Sequence, residues 1–116
     1  NSFDKIGKYF LKMDVRSLIK AHFGIDLEIS GGPGNSYEQA VTILSSNGPR
    51  YVNCEYKYLK YVGALRGVKW KILGQCLEFH DGRSFDVITI ESIKEEDLEV
   101  ITLEENYYFD ISQCFK

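Results

Sequence analysis

A chain of 116 residues is long enough for one domain that buries about two thirds of its extended-chain surface. A hydrophobic content of 44%, with eight tyrosines and seven phenylalanines, excludes an intrinsically disordered chain. The net charge is −3, no apolar run approaches the ~18 residues of a membrane helix, and the start lacks the apolar core of a signal peptide. We therefore expect a protein that does not insert into a membrane.

Residues 2–23 are predicted to be helical, because apolar side chains recur at spacings of three and four. Ser2 is a candidate N-cap, Asp14 is suited to cap a second segment, and Gly24 supplies a stop signal. The apolar positions are Phe3, Ile6, Phe10 and Met13, followed by Val15, Leu18, Ile19 and Phe23. The pattern fits one bent helix or two separate helices.

Short strands and turns are predicted for residues 25–49. Residues 25–29 and 40–44 have strand patterns, Ser36 with Gln39 fits a capping box, and residues 47–49 (Asn-Gly-Pro) indicate a turn. The glycine-rich loop at residues 30–35 invites comparison with phosphate-binding loops. It lacks the Lys-Ser/Thr pair of a P-loop and the spacing of a dinucleotide fingerprint, so we interpret it as a plain turn.

The tyrosine-rich stretch at residues 51–61 alternates with period two, which predicts a strand. Tyr58, Tyr61 and Leu65 are also compatible with helical spacing. The strand interpretation is favoured because tyrosine is common in strands.

Residues 67–91 contain the strongest hairpin signal, in which Asp81-Gly82 separates two apolar runs. A two-residue turn there pairs His80 with Arg83, and on one face it pairs Leu77 with Asp86, Gln75 with Ile88 and Leu73 with Ile90. On the other face it pairs Glu78 with Phe85, Cys76 with Val87 and Gly74 with Thr89. Trp70 and Ile72 would then share the face of Cys76, and Gly74 marks a candidate bulge. Because both faces are apolar, the hairpin is expected in the centre of a sheet.

The remaining chain predicts a loop at residues 94–97, a strand at 98–103, a tight turn at Asn106 and a closing strand at 107–111. A terminal turn would bring Cys114 and Phe115 back onto the core. The predicted fold is a single α+β domain over residues 1–116, helical to residue 24 and mainly β thereafter. It has a meandering antiparallel sheet of five or six strands, with N-terminal helix on one face.

No catalytic or metal-binding pattern stands out. Cys54, Cys76 and Cys114 are widely spaced in apolar runs without a C-x-x-C pair, which favours buried free thiols. His80 falls in a predicted turn, four residues from Cys76 and too far along a strand to contact it. We therefore expect no enzyme activity, no cofactor and no metal ion.

Charge is distributed unevenly along the chain. Residues 1–24 carry a net charge of +3, residues 50–71 carry +5, and residues 91–105 carry −6. The last segment is the candidate partner-binding site, and an acidic solubilising loop is the alternative interpretation. Its carboxylates are Glu91, Glu95, Glu96, Asp97, Glu99, Glu104 and Glu105. The basic, tyrosine-rich stretch at residues 50–71 suggests nucleic-acid binding. The net negative charge of the domain and the lack of an RNP-like motif argue against it.

Four segments together resemble small bacterial immunity proteins of polymorphic toxin systems, including contact-dependent growth inhibition. They are Gly-Gly-Pro-Gly-Asn-Ser at 31–36, Gly-Val-Lys-Trp at 67–70, Gly-Arg-Ser-Phe-Asp at 82–86 and Tyr-Tyr-Phe-Asp-Ile-Ser at 107–112. The resemblance implies a cytoplasmic protein that binds and neutralises one cognate toxin, often a nuclease. An acidic surface suits a basic nuclease face. The alternative function is a non-catalytic interaction module whose partner is not a toxin.

Overall fold

Two helices and five strands make up the computed structural model, which describes residues 14–115. The helices are α1 (Val15–Phe23) and α2 (Tyr51–Arg66), and a 3₁₀ segment, Ser45–Arg50, precedes α2. The strands are β1 (Ile29–Gly31), β2 (Val41–Ile43), β3 (Lys69–His80), β4 (Arg83–Glu96) and β5 (Glu99–Asp110). They form one sheet in the order β1-β2-β5-β4-β3, antiparallel except between β2 and β5. The predicted α+β class is confirmed, and the sheet has five of the predicted five or six strands. The parallel β2–β5 pair departs from the predicted antiparallel meander.

The second predicted helical segment is α1, and its two ends follow the sequence signals. The Asp14 carboxylate accepts a 2.7 Å hydrogen bond from the Ser17 amide, and Gly24 ends the helix in the left-handed conformation at φ +68°. Val15, Leu18 and Ile19 are buried, as the apolar pattern predicts. The prediction for residues 2–13 lies outside the described residues.

Residues 51–61 belong to α2, so the predicted strand there is wrong. The buried residues include Cys54, Tyr58 and Val62, which recur every four positions as on one face of a helix. Tyr56, which a strand would place beside them, is exposed. Packing of that one face on the sheet outweighs the β propensity of tyrosine, which is a weak preference. The part of the chain predicted to be mainly β, residues 25–116, therefore contains a helix of 16 residues.

The β3–β4 hairpin turns at Asp81 and Gly82, which have φ +50° and +75°, as predicted. The predicted pairs hold from His80–Arg83 back to Gly74–Thr89. A β-bulge then inserts Leu73, so Ile72 rather than Leu73 pairs with Ile90. Trp70 and Ile72 consequently share a face with Gln75 and not with Cys76. The hairpin is also not central, because β3 is an edge strand.

The β4–β5 hairpin is longer and tighter than predicted. Its turn is Asp97–Leu98, so residues 94–96 belong to β4 rather than to a loop. Asn106 pairs with Thr89 inside β5 and makes no turn. One long strand therefore replaces the two predicted ones. The strand predicted at residues 25–29 is also displaced, since β1 begins at the last of those residues, Ile29.

Helix α2 covers one face of the sheet, here called the helical face. Tyr58 is fully buried, with its ring 5.6 Å from that of Phe109 and its hydroxyl donating a 2.7 Å hydrogen bond to the Pro33 carbonyl. Ile88 and Ile90 from β4 complete this part of the core. On the opposite face, a smaller apolar cluster contains Tyr37, Ala40, Phe85, Val87 and Tyr108.

Gly63 allows α2 to approach β3 closely. A Cβ atom on Gly63 would lie 2.8 Å from Trp70 Cδ1 and 2.9 Å from Trp70 Nε1. Such distances force either the helix or the indole to move. The position therefore requires glycine for packing, although glycine is a poor helix former.

Gly63→Ala tests this close approach because two effects of opposite sign compete. Better helix propensity would stabilise the protein by about 1 kcal/mol, whereas overpacking typically costs about 1–3 kcal/mol. We expect the steric cost to exceed the gain, so the melting temperature falls. The exposed neighbour supplies the control, since Ala64→Gly should cost about 1 kcal/mol by propensity alone. A rise in the melting temperature of Gly63→Ala would contradict the packing.

Candidate functional site

The β4–β5 hairpin extends past the end of α2 as a ribbon that no other helix or strand of residues 14–115 covers. β3 begins opposite Ile93, so residues 94–101 form only two strands joined by the Asp97–Leu98 turn. Leu98 is fully exposed and Val100 is 65% exposed. Ile101 and Leu103 are also exposed on the helical face. Residues 94–101 are called the hairpin tip below.

Four of the seven predicted carboxylates cluster on the hairpin tip. Glu95, Glu96, Asp97 and Glu99 are all exposed, and Glu96 lies directly opposite Glu99. Like charges in that arrangement destabilise a sheet. The Lys94 ammonium partly offsets the repulsion, since Nζ lies 3.2 Å from a Glu96 oxygen. The tip is therefore strongly negative and rich in exposed apolar side chains.

The other three carboxylates lie in the body of the sheet. Glu91 pairs with Glu104 across the β4–β5 ladder on the face opposite α2, and a Glu91 oxygen lies 3.6 Å from Lys71 Nζ. Glu105 lies on the helical face and is engaged with α2. The segment predicted as one acidic surface is thus divided between two faces and a tip.

Glu105 forms a half-buried ion pair with Arg66 at the end of α2. The guanidinium donates hydrogen bonds of 2.6 and 2.8 Å to the two Glu105 oxygens and a third, of 2.8 Å, to the Tyr107 hydroxyl. The Arg66 side chain is 3% exposed and that of Glu105 is 14% exposed. Two parallel bonds to a carboxylate are the strongest arrangement open to arginine. Glu105 therefore fixes the helix to the sheet.

A second carboxyl group is buried between α2 and β4. Glu55 is fully buried beside Asp86, and no donor from residues 14–115 reaches either of its side-chain oxygens. Burial raises the pKa of Glu55 from its ordinary value of 4.5 to about 10, and the nearby Asp86 carboxylate adds to the shift. At that pKa the Glu55 carboxyl group is protonated and neutral at pH 7. Sequence periodicity gave no signal for this, since Glu55 resembled a solvent-facing strand residue.

The glycine-rich loop uses its amide groups internally. Gly32 donates to the Ala40 carbonyl at 3.0 Å, and Gly34 donates to the Gln39 carbonyl at 2.7 Å. Those amides are the groups that a phosphate-binding loop would offer to its ligand. The amides of Gly32 and Gly34 are therefore already engaged within the loop, and Ser30 and Gly31 belong to β1.

The basic tyrosine-rich stretch does not form a stacking platform on the sheet. Because it is helical, Tyr58 points into the core and Arg66 is paired with Glu105, while Tyr56, Lys57 and Lys60 remain on the exposed surface. Single-strand binders instead present aromatic rings and cations together along a groove. The geometry gives no support to nucleic-acid binding.

The three cysteines are free thiols in different surroundings. Cys54 is buried, Cys114 is half-buried with Sγ 3.4 Å from the Leu44 carbonyl, and Cys76 is exposed. The prediction of a buried thiol is wrong for Cys76, because β3 is an edge strand. Burial raises the pKa of Cys54 to about 11, which makes that thiol unreactive at pH 7.

His80 ends β3, where its ring stacks on Tyr37 with centroids 4.0 Å apart. The same tyrosine donates a hydrogen bond to Glu78. The imidazole therefore lies in a small aromatic contact at the end of the hairpin. Within residues 14–115 no cluster of three or more His, Cys, Asp or Glu side chains is arranged to bind a metal ion, and no helix there is long and apolar enough to span a membrane.

Glu105→Gln is expected to lower the free energy of unfolding by about 2–4 kcal/mol, because it leaves the buried Arg66 charge without its counter-ion. The matched control is Glu104→Gln on the adjacent, exposed position. Glu104 faces Glu91, so its neutralisation removes repulsion and should not reduce stability. Urea unfolding of the two variants makes the comparison. Equal losses would show that the Arg66 pair contributes little.

Glu55→Gln is expected to remove a pH dependence of stability. The folded-state pKa of about 10 exceeds the ordinary value of 4.5, so the folded protein holds a proton that the unfolded chain has lost. The parent should therefore become steadily less stable as the pH rises between these values. The variant cannot ionise, so its melting temperature should exceed that of the parent increasingly as the pH rises. Exposed Glu38→Gln is the control, and a parallel pair of pH profiles would contradict the burial of Glu55.

The chain matches no protein-family model, no curated protein and no solved structure. The resemblance to immunity proteins therefore stays a prediction, and the observation from which a function can be argued is the acidic, apolar hairpin tip.

Proposed function

We propose that this chain is a non-catalytic immunity protein that binds a cognate bacterial toxin, a nuclease, through the hairpin tip. The observation that carries the proposal is the clustering of Glu95, Glu96, Asp97 and Glu99 around the fully exposed Leu98. Carboxylates attract a basic surface from a distance, and an exposed apolar side chain supplies contact area once the surfaces meet.

The chemistry of a nuclease explains why such a tip would inhibit it. A nuclease holds the phosphate backbone with lysine and arginine side chains, so its substrate face is basic. Carboxylates that occupy that face compete with phosphate for the same donors. Inhibition then requires neither a catalytic group nor a cofactor on this chain. A nuclease acts on nucleic acid inside the cell, so the proposed compartment is the cytoplasm.

The shape of the tip fits insertion into a cleft. Residues 94–101 form a ribbon of two strands without a third strand or a helix against them in the described part of the chain. Glu95 and Val100 face one side of the ribbon, while Glu96, Glu99 and Ile101 face the other. Both sides therefore offer a carboxylate and an apolar group. The same chemistry would suit a basic partner that is not a toxin, which is the alternative function.

Charge reversal at the tip tests the proposal. In the variant Glu95→Lys/Glu96→Lys/Asp97→Lys/Glu99→Lys, we expect association with the toxin domain encoded beside this chain's gene to slow by about tenfold or more at low salt. The decrease of the association rate with rising salt should also weaken. Melting temperatures should change little, because these side chains are exposed. Association is measured by stopped-flow or surface plasmon resonance at two salt concentrations.

Glu38→Lys is the control for a general charge effect, since Glu38 is exposed on the loop before β2. Glu38→Lys should slow association less than the matching single substitution at the tip, Glu95→Lys. If the quadruple variant associates as fast as the parent at low salt, the tip is a solubilising loop. If the neighbouring toxin domain does not bind the parent while another basic protein does, the alternative function replaces the proposed one.

Leu98→Ala should act on the lifetime of the complex instead. Truncating a central apolar contact speeds dissociation, whereas removing a peripheral charge slows association. We expect dissociation to become about tenfold faster, with the association rate nearly unchanged. The exposed Phe79, at the opposite end of the sheet, gives the control variant Phe79→Ala. Equal dissociation rates for Leu98→Ala and the parent would remove Leu98 from the interface.

A further inference from the structure

The outer edge of β3 is long and exposed. β3 is the last strand of the sheet, and no strand from residues 14–115 pairs with its outer side. It is 12 residues long, contains no proline and exposes Ile72, Leu73, Leu77 and Phe79. Exposed edges of this kind pair with strands of other chains unless they are short, covered or interrupted. Here the one interruption along the edge is the bulge at Leu73.

The side chains of β3 are sorted by face in a pattern that complements itself. Pairing with β4 places Trp70, Ile72, Leu77 and Phe79 on the helical face. It places Lys69, Lys71, Glu78 and His80 on the opposite face. The helical face therefore carries apolar side chains at both ends of the strand, and the opposite face carries polar or charged side chains at both ends. Lysines stand at the start of the charged face, and Glu78 stands near its end.

We propose that two copies of this chain pair antiparallel through β3, with Gln75 on the two-fold axis, to form one continuous sheet. Ile72 then lies opposite Leu77 of the second copy, and Trp70 lies opposite Phe79. On the other face Lys71 lies opposite Glu78. Leu73 bulges out of the pairing in each copy and takes no partner, so the register shifts by one residue beyond it. Because the two-fold axis repeats this shift in the second copy, residues of the same face stay opposite each other on both sides of Gln75.

The pairing of charges selects a second copy over an unrelated strand. In a symmetric interface each contact occurs twice, so a single Lys71–Glu78 match gives two opposite-charge pairs. The present contacts leave both groups able to take part. Lys71 is 63% exposed with Nζ 3.6 Å from Glu91, and Tyr37 donates to one of the two Glu78 oxygens. The hairpin tip lies beyond the start of β3, so this surface is separate from the proposed toxin contact.

Charge swaps provide the test. Sedimentation velocity of the parent up to about 1 mM should show a monomer–dimer equilibrium. In Lys71→Glu, and separately in Glu78→Lys, like charges face each other twice, so the dimer dissociation constant should rise about tenfold. An equimolar mixture of the two variants restores both opposite-charge pairs, and dimers should reappear. Contacts within one chain cannot produce that recovery, even if each variant is less stable.

Disulfide trapping tests the register independently. Gln75→Cys, in a Cys76→Ser background, should form a covalent dimer on mild oxidation, because the two residues are directly opposite. Asn53→Cys, exposed on α2, is the control in the same background. A monomeric parent at the highest concentration, or a mixture of swap variants that stays monomeric, would overturn the proposal. Trapping at residue 75 no faster than at residue 53 would overturn the register.

Discussion

The ion pair between Arg66 and Glu105 marks the boundary between the packed body of this protein and its projecting tip. Two short hydrogen bonds fix the last turn of α2 to the middle of β5, and Tyr107 accepts a third from the same guanidinium. On the C-terminal side of Glu105, β5 contributes the buried residues Tyr107 and Phe109 to the core. On its N-terminal side, Leu103 and Ile101 are exposed. The position of one buried cation thus decides which carboxylates of the acidic segment stabilise the fold and which remain available to a partner.

The repulsion between the carboxylates of the hairpin tip is weak because the tip lies in solvent. Glu96 faces Glu99 across the ladder, an arrangement that reduces stability. In water the repulsion is small, because the effective dielectric constant is high and salt screens exposed charges. The body of the sheet can hold such a ribbon at little cost. When a basic surface replaces the water, the same carboxylates gain opposite charges, so a feature that slightly weakens the fold would favour the complex.

The two proposed surfaces are compatible in one assembly. Because β3 strands would pair antiparallel, the β4–β5 hairpins of the two copies would point to opposite ends of the continuous sheet. Each tip would remain free, and two partners would bind without contact between them. Lys71 and Glu78 would be occupied at the dimer interface, whereas Glu95, Asp97 and Glu99 would stay in solvent. The two surfaces can therefore be altered separately.

Features that depend on neighbouring residues could be predicted from the amino-acid sequence alone. Asp14 and Gly24 bounded α1, and Asp81-Gly82 set the β3–β4 turn, because caps and two-residue turns are governed by local backbone geometry. The acidic tip was also visible, since charge is additive along the chain. Long-range packing, by contrast, makes residues 51–66 helical, places a bulge at Leu73 and pairs Glu105 with Arg66. Those outcomes depend on contacts between residues far apart in sequence, and burial of a helix face on a sheet outweighs the small local preferences that a pattern records.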